Sequence, residues 1–180
     1  RFYGPGRFPH RTSGKTASDA AISLEPGGWG PAPGRMDHIL LKDLYVETML
    51  TPLSVTLSDD NSLGRLRVEN LTARDITRMA LSVKSWGRAR AERVAISHAD
   101  LQFRGNDDPM LLKWFDSHTT DQWPVFPSYG LYFRNVNRVE LRDVRTSFTG
   151  RDYRQAMATE HVGKIRKKDV GEAPPSPTVP

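Results

Sequence analysis

The sequence predicts an all-β protein, a right-handed parallel β-helix that is incomplete at its N-terminal end. Three observations predict it. A short alternating element recurs along the chain as His38-Ile39-x-Leu41-x-Asp43-Leu44, Arg65-Leu66-x-Val68-x-Asn70-Leu71, Arg93-Val94-x-Ile96-x-His98-Ala99 and Arg138-Val139-x-Leu141-x-Asp143-Val144, at offsets of 27, 28 and 45 residues. A second element, Ile22-Ser23-Leu24, Leu53-Ser54-Val55, Leu81-Ser82-Val83 and Leu131-Tyr132-Phe133, recurs out of phase with the first. Neither Asn-Gly nor Asp-Gly, the dipeptides that favour tight hairpins, occurs anywhere.

Apolar and polar residues alternate in both elements, which is the strand period. One short strand cannot bury its apolar face alone, but copies stacked at a fixed period bury it against each other. Two or three strands per turn of about 27 residues suit a β-helix. Leucine-rich repeats have a similar period but require more leucine than this chain shows.

Taken in order, residues 1–17 form an N-terminal loop segment, because Gly and Pro crowd it, and Pro26–Gly34 is a second loop. Residues 18–170 carry the coils, with a long loop insertion at 105–127. The polar position of the first element (Asp43, Asn70, His98, Asp143) reads as a corner, since such side chains tolerate left-handed backbone and bond nearby amides. Stacked in successive coils they form a column, with no convergence on a metal or a catalytic point. The basic run Lys164–Lys168 reads as a solvated terminus, and 171–180 as a disordered Pro-rich tail. Within the insertion, Trp114, Phe115, Trp123 and Phe126 either pin the loop to the solenoid or face a ligand. Asn106-Asp107-Asp108 is read as a turn.

Composition narrows the function. With 180 residues, the chain suits one domain. Its apolar stretches are too short for a membrane-spanning helix. The absence of cysteine removes disulfides, thiolate metal sites and thiol nucleophiles. A net charge of +5 is compatible with a polyanionic partner. Nucleic acid is set aside, because no recognition helix, zinc spacing or aromatic signature accompanies the basic residues.

If Ile22/Leu24, Leu53/Val55, Leu81/Val83 and Leu131/Phe133 point inward, their neighbours form two outer columns. One is Ser23, Ser54, Ser82 and Tyr132; the other is Glu25, Thr56, Lys84 and Arg134. They make either a shallow polar groove able to hold a sugar chain or an ordinary solvated face.

In order and spacing, residues 18 to 162 resemble the polygalacturonase-like glycoside hydrolases, family 28, of the pectate-lyase-like β-helix superfamily. The segments that carry the resemblance are Pro127-x-Tyr129-Gly130-Leu131-Tyr132-x-Arg134, then Val139–Val144, then Asp152-x-Arg154-x-Ala156. The resemblance implies inverting hydrolysis of an acidic, pectin-like polysaccharide, with carboxylates as general acid and base and cations holding uronate groups. The family's site is made of Asn-Thr-Asp, Gly-Asp-Asp, Gly-His and Arg-Ile-Lys motifs on successive coils. Ser18–Leu24 is similar to the second, with Asp19 in the place of its first acid and Ala20 in that of its second. Thr51–Val55 is similar to the third but has no histidine, and Leu81–Lys84 to the fourth, with Lys84 kept and Ser82 in place of the arginine. The first motif would precede Arg1.

The expected site is thus Asp19 as catalytic residue, with Lys84, Glu25, Ser82 and Arg134 binding substrate. No cofactor and no metal are called for. The alternative is a noncatalytic carbohydrate-binding β-helix or degenerate paralogue. The partner expected is a polysaccharide or oligosaccharide, with no nucleic acid and no membrane. The protein is expected to be an extracellular or periplasmic monomer when full-length, with any export signal and further coils upstream.

Overall fold

The structure, a computed structural model, describes residues 1–4, 20–26, 33–77, 80–85, 87–106 and 127–173. Its described strands are β1 (Phe2–Tyr3), β2 (Ile22–Leu24), β3 (Gly34–Met36), β4 (Ile39–Glu47), β5 (Leu53–Leu57), β6 (Asn61–Ile76), β7 (Leu81–Ser85), β8 (Ala91–Arg104), β9 (Ser128–Arg134), β10 (Val136–Thr149), β11 (Gln155–Glu160) and β12 (Lys164–Glu172). They wind into a parallel β-solenoid of about four turns. Sheet A runs β1-β4-β6-β8-β10-β12, with β3 also on β6, and sheet B runs β2-β5-β7-β9-β11. Every pairing described is parallel.

The repeats align as strand periodicity requires. Ile39, Leu66, Val94, Val139 and Ile165 occupy one position in successive coils, and Leu41, Val68, Ile96, Leu141 and Lys167 another. Leu66, Val68, Val94 and Val139 are fully buried, and Ile96 and Leu141 nearly so. Burying one such side chain contributes about 1.5–3 kcal/mol, so the stacked columns hold the coils together. Phe103 and Phe148 stack in register near the end of their strands. Tyr129 meets both edge-on, its ring centre 5.9 Å from Phe103 and 5.0 Å from Phe148.

Asp43, Asn70, His98 and Asp143 all have left-handed backbone, with φ between 50 and 56°, and Asp169 (φ 52°) adds a fifth. Register continues on both sides of the bend, with Lys42 beside Glu69 and Leu44 beside Leu71. Asx and His side chains tolerate this conformation better than other non-glycine residues do. The column also bonds along the axis, Asn70 Nδ2 donating to Asp43 Oδ1 at 2.7 Å. Asn135 (φ 57°) and His161 (φ 51°) supply comparable bends before β10 and β12. The half-turn at Asn135 is stitched to the coil below, because its side-chain amide donates to the carbonyls of Ser85 and Gly87 at 3.0 and 3.1 Å.

Two carboxylates tie one coil to the next beside a glycine. Asp37 Oδ1 accepts the N–H groups of His38 at 2.7 Å and Arg65 at 2.8 Å, and Arg35 donates to Oδ2 at 3.2 Å. Asp59 accepts from Arg88 N–H in the same way. A Cβ at Gly64 would run into the Asp37 carboxylate and one at Gly87 into that of Asp59, so both positions require glycine. The backbone donors of Arg65 and His38, then the Arg35 guanidinium, hold the Asp37 carboxyl at about 2 against an ordinary 3.8. A value lower in the folded state than in the unfolded one makes the contribution complete above about pH 4 and lost as pH falls towards 2. Asp37→Asn is therefore expected to flatten the acid-unfolding curve between those values. An unchanged curve in that window would remove Asp37 from the fold's acid sensitivity.

The structure departs from the sequence expectation at both ends. Phe2–Tyr3, inside the expected N-terminal loop, pairs with Val46–Glu47. Lys164–Lys168 is no loose terminus but the start of β12, and Lys164-Ile165-x-Lys167-x-Asp169-Val170 is a fifth copy of the first element, in register with β10. Charge had hidden it: lysine stands at the inward position that leucine, valine or isoleucine fills elsewhere. β12 runs to Glu172, two residues into the expected tail, and Ala173 N–H still donates to Thr146 O at 2.8 Å. Lys and Arg on this last strand suit an outermost strand, where charge discourages further pairing. Residues 174–180, and all of the insertion except residues 105, 106 and 127, lie outside the described residues.

Candidate functional site: the outer face of sheet B

Alternation within the short strands sends every second side chain outward. Ser23, Ser54, Ser82, Tyr132 and Ala158 form one column, in unbroken register from β2 to β11. Thr56 lies beside Lys84, and Arg134 beside Glu160, in the adjoining column. Glu25 follows β2 and is exposed, its Oε1 accepting from Ser23 Oγ at 3.0 Å. The two outer columns expected from the sequence are therefore present, extended by the rung of Ala158 and Glu160. Successive rungs stand about 4.7–4.9 Å apart.

The strip is not the shallow exposed groove that alternation suggests. Ser82 is 1% exposed, Lys84 6% and Tyr132 fully buried. Alternation fixes which way a side chain points from the sheet; what lies over it is set by other parts of the chain. Ser54 and Thr56 are half-buried, and Ser23 is exposed.

Lys84 is the central charged group. Its Nζ donates to Thr56 Oγ1 at 3.0 Å, Ser54 Oγ at 3.3 Å and Ser82 Oγ at 3.5 Å. An ammonium withdrawn from water needs polar partners in place of hydration, and three hydroxyls from two coils are among those of Lys84. One rung on, Tyr132 donates to Glu160 Oε1 at 2.7 Å, and Arg134 lies 3.5 Å from Glu160 Oε2. Burial, then the hydrogen bond to Glu160, pushes the Tyr132 phenol well above its ordinary value, so it remains a donor. Arg134 thus leans on a carboxylate of the next coil. Sequence reasoning missed Glu160; extending the outer columns by one more rung would have found it.

Of the expected site residues, Ser82, Lys84 and Arg134 come together on adjacent rungs, and Glu25 stands at the far end of the strip. Asp19 lies outside the described residues. Thr51, where the resembled pattern has histidine, is 1% exposed and donates to Ala80 O at 2.9 Å and Leu53 O at 3.3 Å, which is a coil-to-coil tie. Glu25 and Glu160 end the strip four rungs apart, about 19 Å at the strand spacing. No group of three or more His, Cys, Asp or Glu that could hold a metal ion occurs among the described residues.

Fold and strip together define a parallel β-solenoid with a polar outer ledge on its shorter-stranded sheet. No family model, no curated protein and no solved structure matches the chain.

Proposed function

We propose that the chain is part of a β-helix glycoside hydrolase acting on a pectin-like, acidic polysaccharide by inverting general acid–base hydrolysis, with the outer strip of sheet B as the floor on which the glycan lies. The observation that carries the reading is Lys84, a buried ammonium on the outer side of the sheet, centred among Ser54, Thr56 and Ser82. A uronate reaching Lys84 would exchange its carboxylate for one of these hydroxyl partners, gaining a charge-assisted bond. Arg134, tethered to Glu160, lies on the next rung in the direction of β11. Asp19, three residues before β2 in the sequence, is the proposed catalytic carboxyl. Such a substrate places the protein outside the cell or in a periplasm.

A second reading, a noncatalytic glycan-binding coil segment, is favoured by one observation. Inverting hydrolysis places its two carboxyl groups about 6.5–9.5 Å apart, and Glu25 and Glu160 stand about twice that distance from each other.

The test is reducing-end release from polygalacturonate and rhamnogalacturonan oligosaccharides, with binding of the same oligosaccharides measured separately by calorimetry. Asp19→Asn is expected to lower the rate by at least about a hundredfold with binding kept. Lys84→Ala is expected to weaken binding by about tenfold or more. Binding that Lys84→Ala abolishes, without turnover by the parent chain, would leave the noncatalytic reading. Binding untouched by Lys84→Ala would overturn both.

A further inference from the structure

Sheet A carries a second polar surface, and its charges are ordered. Arg65, Arg93, Arg138 and Lys164 occupy one position in four successive coils. Two residues further along, Arg166 lies beside Glu140, and two beyond that, Lys168 lies beside Arg142. Arg138, Arg142, Lys164, Arg166 and Lys168 are all exposed. Among the described residues none of the five is ion-paired. Glu140, the acid beside Arg166, is taken by Arg93, whose Nε and second guanidinium nitrogen donate to Oε2 at 3.1 and 2.5 Å, and Glu92 by Arg35 at 3.4 Å. A cavity of about 320 Å³ opens along the ladder, lined by Arg65, Glu92, Arg93, Asn137, Arg138 and Lys164.

We propose that the outer face of β10 and β12 is a second binding surface, which grips a linear acidic polysaccharide along the solenoid axis. Parallel stacking repeats one cation per coil at about 4.7–4.9 Å, close to the length of one sugar ring. A polyuronate presents one carboxylate per ring. The planar arginine fork matches a carboxylate through two parallel hydrogen bonds, and lysine adds a mobile point charge. Nucleic acid is disfavoured by the same surface: single strands are held by aromatic stacking beside the cations, and neither strand has an outward aromatic side chain, Phe148 being packed inward against Tyr129. Charge on an outermost strand also discourages edge pairing, but that purpose concerns β12 alone. It does not account for the exposed, unpaired Arg138 and Arg142 on β10, one coil earlier.

The proposal rests on the acidic-glycan reading only for its occupant, and the two surfaces are tested apart. The full chain is run in native gels containing polygalacturonate, fully methyl-esterified pectin or no polymer, and its binding to single-stranded DNA is measured in parallel. Polygalacturonate alone is expected to retard it, and less so as salt is raised. Arg138→Gln/Arg142→Gln/Lys164→Gln/Lys168→Gln is expected to weaken that binding by about tenfold, four exposed contacts of a few tenths of a kcal/mol each. Restoring charge with lysine at 138 and 142 should recover most of it. Unaltered retardation of the quadruple variant overturns the proposal. So does tighter binding to the DNA than to polygalacturonate, or retardation by the esterified polymer. Failure of the Lys84 strip would show instead as lost binding of short oligosaccharides, too short to need the ladder.

Discussion

Removing the Asp152 carboxylate by Asp152→Ala is expected to cost about 3–5 kcal/mol of unfolding free energy, the usual consequence of leaving a buried charge without its partner. Arg154 is the charge left behind. Its side chain is 6% exposed and that of Asp152 is 0% exposed. The carboxylate accepts Arg154 Nε at 2.9 Å, a terminal guanidinium nitrogen at 2.7 Å and the Arg154 backbone N–H at 2.8 Å. A fourth bond arrives from another coil, Asn106 N–H donating at 3.1 Å. One side chain therefore closes the turn between β10 and β11 and fastens it to the chain leaving β8. A loss of that size corresponds to a fall in Tm of about 10 °C for a domain of this length. Asp152→Asn keeps an acceptor and loses the charge, so a smaller fall is expected. Thermal unfolding followed by circular dichroism measures both, and a drop below 1 °C for Asp152→Ala would show that the pair is hydrated in solution. Because β11 carries Glu160, the same substitution should also loosen the Tyr132–Glu160–Arg134 contacts on the strip.

Asp152-x-Arg154-x-Ala156 was read from the sequence only as part of a family-like pattern, and the structure gives it a physical cause as a local clamp. The legible parts of this fold are those that depend on one strand and its neighbours. Alternation at Leu66, Val68 and Val94 showed which side faces inward, and the recurrence of Asp43, Asn70, His98 and Asp143 marked a corner whose left-handed backbone the structure confirms. Burial of Ser82, Lys84 and Tyr132 was not legible, because it depends on what packs over the sheet. The fifth coil was missed at Lys167, where a charged residue occupies an apolar position. β12 is the outermost described strand of its sheet, and a strand at a sheet's edge needs no hydrophobic residue there, so its signature fades. Glu160 escaped for a related reason: its column is defined by register, and the rung before it follows an insertion that breaks the period.

Phe103→Ala is expected to remove about 3–5 kcal/mol, and its effect should be local to one end of the solenoid. Phe103 is 2% exposed and stands between Ile76 below and Phe148 above in the stacked column. Its ring also meets Tyr129, so truncation deletes burial, leaves a cavity and breaks an aromatic pair. Each coil touches only the next, so stability passes along the axis as a chain of nearest-neighbour interfaces. β8 is the strand joining β6 to β10. Weakening the upper side of that junction should let β9 to β12 open before β4 to β7. Hydrogen exchange resolved by peptide should then show faster exchange above β8 and near-parental protection below it. Equal acceleration in every coil would show a single cooperative unit and defeat the nearest-neighbour account. The functional consequence separates the two surfaces as well. Lys84 lies on β7, on the protected side, whereas Arg138, Arg142, Lys164 and Lys168 lie on the strands that open. The variant should therefore lose the polygalacturonate retardation at a temperature where short-oligosaccharide binding at Lys84 persists.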